Sequence, residues 1–236
     1  ARPRLGEFKP QELANTAWAF AKAGVEAPRL FEAIADAARP HLGEFNAQDV
    51  ANTAWAFACV DFEQPVSFVA LMDACATHTS AMRDLELSQL YLVSLHFRLE
   101  WPDQSFPLSH YHDTLLSAYQ RNEPRPSRLQ RDVAAALDRL GWTHVFEHVT
   151  AEGLSLDMAQ PESRRAVEVD GPSHFLKNPK SQRYVENGAT RFKSRLLRRL
   201  GWDVVRVPFF EWGRLKTAAE KDAYLEARLF RPGAAK

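Results

Sequence analysis

The sequence lacks long apolar runs and contains little cysteine. Across its 236 residues, no uninterrupted hydrophobic stretch approaches the roughly 20 residues of a membrane-spanning helix. Its two cysteines, Cys59 and Cys75, lie in apolar helical patterns and have no partner at metal-ligand spacing. We therefore expect no membrane contact and no cysteine-bound metal, and we interpret both thiols as buried hydrophobic groups of a reducing compartment.

No segment at the start resembles a secretory signal peptide. The chain begins at Ala1, inside a unit that recurs further along. We therefore expect a fragment of a longer protein, whose targeting segment and earlier repeats are missing from this sequence.

The formal net charge of zero conceals two halves of opposite sign. Residues 1–120 contain 8 Lys or Arg and 15 Asp or Glu, a charge of −7, whereas residues 121–236 contain 22 and 15, a charge of +7. This asymmetry predicts two modules and makes the basic half the better candidate for a polyanionic partner.

The acidic half contains an internal repeat. EFKPQELANTAWAFAKAG from Glu7 recurs as EFNAQDVANTAWAFACVD from Glu44, with Phe8 aligned to Phe45 at an offset of 37 residues. A fixed period of this length predicts a solenoid of helix pairs. A more divergent third copy follows in SQLYLVSLHF and HYHDTLLSAY, so we predict about three helix pairs over residues 1–120.

These units resemble octotricopeptide repeats, which implies binding of single-stranded RNA in organelles. Lys22, Asn15 and Asn52 lie on one stripe of the first helices and are the candidate RNA contacts. A structural alternative remains open for the asparagines, namely hydrogen bonds to backbone between stacked repeats. The acidic charge of this half also argues against strong binding of the phosphate backbone by these repeats alone.

A linker is predicted at residues 121–127, where RNEPRPSR combines prolines with charges. The patterns that follow predict, in order, a helix, three strands, a helix, a strand and a helix. This is the core order of the PD-(D/E)XK nuclease fold, so we expect an α/β restriction-endonuclease-like domain over residues 128–236.

Three carboxylates fall at strand positions of this domain. Asp157 ends the second predicted strand, whereas Glu168 and Asp170 lie two apart on the third and share one of its faces. Converging carboxylates suit a hard cation, so the sequence predicts that these three residues bind Mg²⁺. The alternative is a domain that retains the fold of a nuclease and binds RNA without cutting it.

Four stretches of this half, LDMA, VEVDGPSHF, TRFKSRLLRRLGW and VVRVPFFEW, together resemble a RAP domain. This module occurs in organellar proteins such as the FAST kinase relatives and the octotricopeptide proteins. The EVDG…H pattern is also similar to the very-short-patch-repair endonucleases. The resemblance implies organellar RNA processing, RNA stability or ribosome biogenesis.

The nuclease pattern is not complete in this chain. Asp170 stands where the pattern has a lysine, and Leu156 stands where it has a proline. His174 and Lys193 are the candidates to supply the missing acid, base or positive charge.

Further basic residues are concentrated in the loop and the helix that follow the third predicted strand. The candidate phosphate contacts are Lys177, Lys180, Arg183, Arg191, Arg195 and Arg198. A solvated helix face is the alternative interpretation of the helical arginines.

The expected function is organellar RNA binding and maturation, with a Mg²⁺-dependent endoribonuclease site as an open question. Two alternatives stand beside it: a non-catalytic scaffold or assembly factor of an organellar ribosome, and a DNA-repair-type endonuclease. The expected partners are single-stranded mRNA or rRNA, the ribosome and other RNA-binding proteins. The expected compartment is the mitochondrion or plastid, with the mitochondrion favoured.

Overall fold

The computed structural model describes residues 4–121 and 126–230. The chain divides into two compact units, one formed by Ala1–Asn122 with Val185–Leu196 and the other by Glu123–Tyr184 with Leu197–Lys236. Of the predicted linker at 121–127, residues 122–125 lie outside the described residues. Residues 1–3 of the predicted repeat segment and residues 231–236 of the predicted second domain also lie outside them. The sequence did not predict that residues 185–196 join the first unit.

The described residues up to 121 form helices in pairs. Their bounds are α1 (Pro10–Lys22), α2 (Pro28–Ala38), α3 (Ala47–Cys59), α4 (Pro65–His78), α5 (Asp84–Glu100) and α6 (His112–Gln120). The first helices of successive pairs pack on one another, and each packs on its own second helix. The predicted helical first part is therefore confirmed, whereas its repeat type stays a prediction.

Small side chains bring α1 and α3 close together. Ala14 and Ala17 of α1 and Ala51 of α3 are fully buried, and the rings of Trp18 and Trp55 lie 6.5 Å apart. The helix starts are also encoded locally: Pro10 occupies the first turn of α1, where no amide hydrogen is needed. The two cysteines are buried as expected, and burial raises the pKa of both thiols.

The second half of the chain contains the sheet. Its elements are α7 (Arg128–Arg139), β1 (Val145–Val149), β2 (Ser155–Gln160), β3 (Arg165–Asp170), β4 (Phe175–Lys177), β5 (Tyr184–Glu186), α8 (Gly188–Arg199), β6 (Asp203–Pro208), α9 (Phe209–Trp212) and α10 (Ala218–Leu229). The main sheet has the order β1-β2-β3-β6. Its first three strands are antiparallel, and β6 runs parallel to β3. The predicted α/β character of this part is confirmed.

The core of the second unit lies between the sheet and the helices α7 and α10. It contains Val167 and Val169 of β3 together with Trp142 and Trp212. The indole nitrogen of Trp212 donates to Asp132 Oδ2 at 2.7 Å, so this buried ring keeps its hydrogen bond. Because the valines of β3 face this core, the alternating residues Glu168 and Asp170 lie on the opposite face of the strand.

Within the described ranges, no helix combines the length and apolarity that crossing a bilayer requires.

Candidate functional site

Asp157 and Glu168 come together where β2 and β3 separate. The strand ladder ends at Met158 and Val167, and beyond it the amide of Val169 donates to Asp157 Oδ2 at 2.6 Å. The amide of Asp157 in turn lies 3.3 Å from Glu168 Oε1 and donates to it. A carboxylate thus replaces a rung of the ladder, which holds these two acids side by side.

The helix α7 contributes a polar group to the same place. Gln130 Nε2 donates to Asp157 Oδ1 at 2.7 Å and lies 3.5 Å from Glu147 Oε1. Glu147 has a φ of 52°, a left-handed backbone that is costly for a residue with a Cβ. Local distortion of β1 is therefore part of how this acidic site is built.

Asp170 has a different environment. Its side chain is 1% exposed and forms a forked ion pair with Arg206 of β6, with Arg206 Nε 2.7 Å from Asp170 Oδ2. His174 Nδ1 lies 3.2 Å from Asp170 Oδ1. Both oxygens of this carboxylate therefore face nitrogen partners from the protein itself.

These contacts bear on the predicted metal site. Asp157 and Glu168 are carboxylates on neighbouring strands, a type of ligand that divalent cations prefer, and both oxygens of Asp157 also accept hydrogen bonds from the protein. Asp170 fits less well, because a guanidinium already neutralises it. Among the described residues, the group of three side chains whose ligand atoms all lie within 4.8 Å of one another is Asp61, His96 and Glu100 in the first unit. There Arg195 Nε lies 3.5 Å from Asp61 Oδ1, and its positive charge opposes a cation.

The candidate acid–base residues lie on separate elements. His174 ends a short 3-10 turn, Pro172–His174, and its side chain is 37% exposed. Lys193 is half-buried on α8, in the part of that helix that belongs to the first unit.

The loop between β4 and β5 presents its cations to solvent. Asn178 closes this loop, because its Oδ1 accepts from the amides of Lys180 and Ser181 while its own amide donates to Arg183 O. Lys177, Lys180 and Arg183 are exposed, and in the described part of the chain none of the three is ion-paired. This ordered loop is therefore the most accessible positive surface among the predicted phosphate contacts.

Two of the helical arginines are bonded to protein carbonyls instead. Arg191 Nη1 donates to Gly24 O at 3.0 Å, just beyond the end of α1. Arg195 Nη1 donates to Cys59 O at 3.2 Å, and its Nη2 donates to Ala58 O, at the end of α3. Both guanidinium groups therefore cap helix carboxyl ends, where a positive charge is favourable. Arg198, by contrast, is exposed.

The predicted RNA contacts of the repeats lie on α1 and α3. Asn15 is exposed and Asn52 is half-buried. Neither asparagine side chain hydrogen-bonds within the described residues, so the bonds to backbone that formed the structural alternative are not observed. Lys22 Nζ lies 4.3 Å from the centre of the Trp18 ring and interacts with its face.

The first unit also contains a cleft of about 700 Å³. It lies beside the turns that follow α1 and α3, and Arg191 and Arg195 form part of its wall. Glu26, Glu32, Asp61 and Glu63 also line it. Four carboxylates make this cleft a poor site for a polyanion, so it does not add to the candidate phosphate contacts.

A group of aromatic side chains in the second unit was not predicted from the sequence: Phe175, Tyr184, Phe209 and Phe210. The sequence predicted DVVRVPFFEW as a single strand, whereas the strand ends at Pro208 and Phe209 begins α9, and nothing in the sequence indicates that these rings meet Phe175 and Tyr184.

The second unit is thus an α/β domain with buried strand carboxylates and an accessible cationic loop. The chain contains a RAP domain: the family model of that name matches residues 167–228, from β3 to α10. The predicted RAP domain is therefore confirmed for this segment.

A relative supports the same conclusion. Over 143 residues the chain is 30% identical to "RAP domain-containing protein, chloroplastic" of Oryza sativa subsp. japonica. The aligned region covers 59% of this chain and 22% of the relative. The chain therefore corresponds to only about a fifth of the length of that protein.

Proposed function

We propose that the chain binds single-stranded RNA in an organelle and takes part in the maturation of mRNA or ribosomal RNA. The observation that carries the proposal is the RAP domain at residues 167–228, since such domains are RNA-associated. Octotricopeptide-type repeats before it would supply further RNA contacts through Asn15, Asn52 and Lys22. The ribosome and other RNA-binding proteins are the expected protein partners.

The relative also guides the choice of compartment. Its name places that protein in the chloroplast, which supports an organellar location compatible with the plastid. The expected preference for the mitochondrion has no support, so we propose the plastid as the compartment to test first.

A binding experiment tests the RNA proposal. Labelled single-stranded RNA is titrated with the full chain at several salt concentrations, and the affinity is measured by fluorescence anisotropy. Each phosphate contact on a single strand contributes a slope of about −0.7 to the logarithmic salt dependence. The variant K180Q/R183Q should therefore bind more weakly, with a slope shallower by up to about 1.4.

The matched control removes two exposed cations that lie outside the loop between β4 and β5 in the same unit. Arg128 and Arg131 begin α7 and are exposed, so R128Q/R131Q should leave the slope unchanged. A wild-type chain that fails to bind RNA contradicts the proposal. A chain that prefers duplex DNA in competition supports the repair-type alternative instead.

A second candidate function is Mg²⁺-dependent RNA cleavage. It is favoured by the hydrogen bonds that join Asp157 of β2 to Glu168 and Val169 of β3. These two residues would hold the cation, which would position a phosphate and activate water. Asp170, bound to Arg206, would orient His174 rather than serve as a full ligand, and His174 would act as the general acid or base.

Cleavage assays separate this candidate from a scaffold. The chain is incubated with labelled RNA and Mg²⁺, with and without a chelator. Cleavage that requires Mg²⁺ and is abolished in D157N and in E168Q supports the nuclease, whereas D203N on the exposed start of β6 should cut like the wild type. Tight binding without cleavage supports the scaffold or assembly factor.

A further inference from the structure

Four aromatic side chains of the second unit pack together although none of them is buried. The rings of Tyr184 and Phe210 are stacked, with centres 4.7 Å apart and an angle of 12° between their planes. Phe175 meets the Phe210 ring edge to face at 5.1 Å, and Phe209 meets Tyr184 at 5.1 Å. We call these four residues the aromatic platform.

The exposure of the aromatic platform is unusual for such a cluster. The comparable pair Phe57 and Phe68 in the first unit is 1% and 0% exposed, as expected for rings that drive folding. Tyr184, by contrast, is 36% exposed, and Phe175, Phe209 and Phe210 are half-buried. A cluster of aromatic rings that stays partly in water is a candidate binding surface.

The local chain geometry explains why the platform forms where it does. In the parallel pair of β3 and β6, Asp170 lies opposite Pro208. Phe209 and Phe210 follow directly as the first residues of α9, because Pro208 ends the strand. Phe175 follows the turn after Asp170. The platform therefore lies at the end of β3 where the candidate carboxylates are.

The charge around the platform identifies the occupant. Lys177 Nζ lies 5.8 Å from the centre of the Tyr184 ring, and the loop that joins Lys177 to Tyr184 carries the exposed Lys180 and Arg183. Partly exposed rings with neighbouring cations match a single-stranded nucleic acid, whose bases stack on aromatic rings while its phosphates contact the cations. Paired bases are already stacked in a duplex and offer no free face.

We propose that the aromatic platform is a stacking site for unpaired bases of single-stranded RNA, with Lys177 beside it to neutralise the adjoining phosphate. This inference rests on the proposed function, because it assigns the base-contacting residues of the RNA-binding domain. It places the bound strand at the end of β3 beside His174 and the buried carboxylates.

The test uses the full chain and short labelled RNA in anisotropy titrations. Removing one stacking ring in F210L or Y184L should weaken binding about fivefold to a hundredfold, the range measured for single base–aromatic stacks. Y184F keeps the ring and should bind like the wild type. F230L removes a phenylalanine that is 52% exposed outside the platform, and it should also bind like the wild type.

A second arm separates stacking from phosphate contact. RNA carrying abasic sites keeps its phosphates and loses its bases, so it should bind the wild type more weakly. F210L should then cause no additional loss on abasic RNA. Circular dichroism and melting temperature of each variant show whether it is folded, and the leucine substitutions keep most of the apolar volume.

The outcomes are distinguishable. If the wild type binds RNA and the folded F210L and Y184L variants bind equally well, the platform is not the stacking site, while the proposed function stands. If only a protein partner loses affinity in these variants, the platform is a protein-docking surface and the inference is overturned. If the wild type binds no RNA, both proposals fail.

Discussion

The guanidinium of Arg206 on β6 and the carboxylate of Asp170 on β3 form a forked ion pair, with side chains that are 16% and 1% exposed. Two charges are thereby withdrawn from water at the end of the parallel strand pair. Such a pair contributes little net stability, but removal of one member leaves a charge in the interior.

Arg206→Met should therefore lower the free energy of unfolding by about 3–5 kcal/mol, measured by urea denaturation. The contrasting variant is Asp203→Ala. Asp203 Oδ2 lies 3.5 Å from Arg165 Nε, and the Asp203 side chain is 59% exposed. Asp203→Ala should lower the free energy of unfolding by less than about 1 kcal/mol. Equal losses in the two variants would contradict the burial of the Asp170 pair.

Asp132 should make stability depend on pH. Burial raises the pKa of this carboxyl, but hydrogen bonds from Lys221 and Trp212 lower it more, so its net pKa is below the ordinary value. A group with a depressed folded-state pKa stabilises the protein above its unfolded pKa of about 3.9, and that contribution is lost as the pH falls through the folded value.

Asp132→Asn should thus destabilise the chain by less than about 1 kcal/mol near neutral pH, because the aspartate side of the pair is 43% exposed. The difference from the wild type should disappear in acid. Thermal melts at a series of pH values measure it. A difference that grows as the pH falls would show that the sign is wrong.

Gly188 should not tolerate a side chain. A Cβ built at this position would lie 1.8 Å from the carbonyl oxygen of Ala21, which is backbone and cannot rotate away. Gly188→Ala should lower the free energy of unfolding by about 1–3 kcal/mol through overpacking, although alanine usually favours a helix.

Gly43→Ala is the matched control, because nothing lies within 4 Å of its added Cβ. It should be close to neutral in the same chemical denaturation experiment. A stable Gly188→Ala variant would mean that α8 does not start against the end of α1.

Arg195 should affect stability more than Arg198 does. Arg195 bonds to the carbonyls of Ala58 and Cys59, and hydrogen bonds that involve a charged group are worth about 1.5–3 kcal/mol. Arg195→Ala should lower the melting temperature clearly, whereas Arg198→Ala, at an exposed position, should barely change it. A larger loss of stability in Arg198→Ala than in Arg195→Ala would contradict the capping role of Arg195. A selective loss of RNA affinity in folded Arg195→Ala would favour the phosphate-contact interpretation.

The local patterns predicted the segments but not their tertiary partners. Alternation in β3 correctly indicated that Glu168 and Asp170 share a face, because side-chain direction in a strand has a period of two. It could not indicate Arg206 as the partner of Asp170, since that contact depends on the pairing of β3 with β6. The helix carrying Arg191 and Arg195 was predicted for the same local reason. What that helix face touches was open, because a solvated face and a capping face have the same periodicity.

The aromatic platform shows the same limit. Its four rings come from β4, β5 and α9, and only the sheet register and the closed loop at Asn178 bring them together. The hydrogen bonds between Asp157 and β3 could not be predicted from the sequence either, because a carboxylate that replaces a hydrogen bond of the strand ladder leaves no recognisable sequence pattern.

The first unit is assembled from two segments of chain that are separated by more than sixty residues. During synthesis, the helix pairs therefore leave the ribosome long before Gly188, Arg191 and Arg195 exist. While β1, β2 and β3 are being synthesised, the carbonyl groups at the ends of α1 and α3 lack the guanidinium groups that later cap them. A nascent chain stopped near residue 122 has α1 to α6 and lacks the segment of α8 that completes the first unit, so chaperone binding to such a truncated product should exceed that to the finished chain.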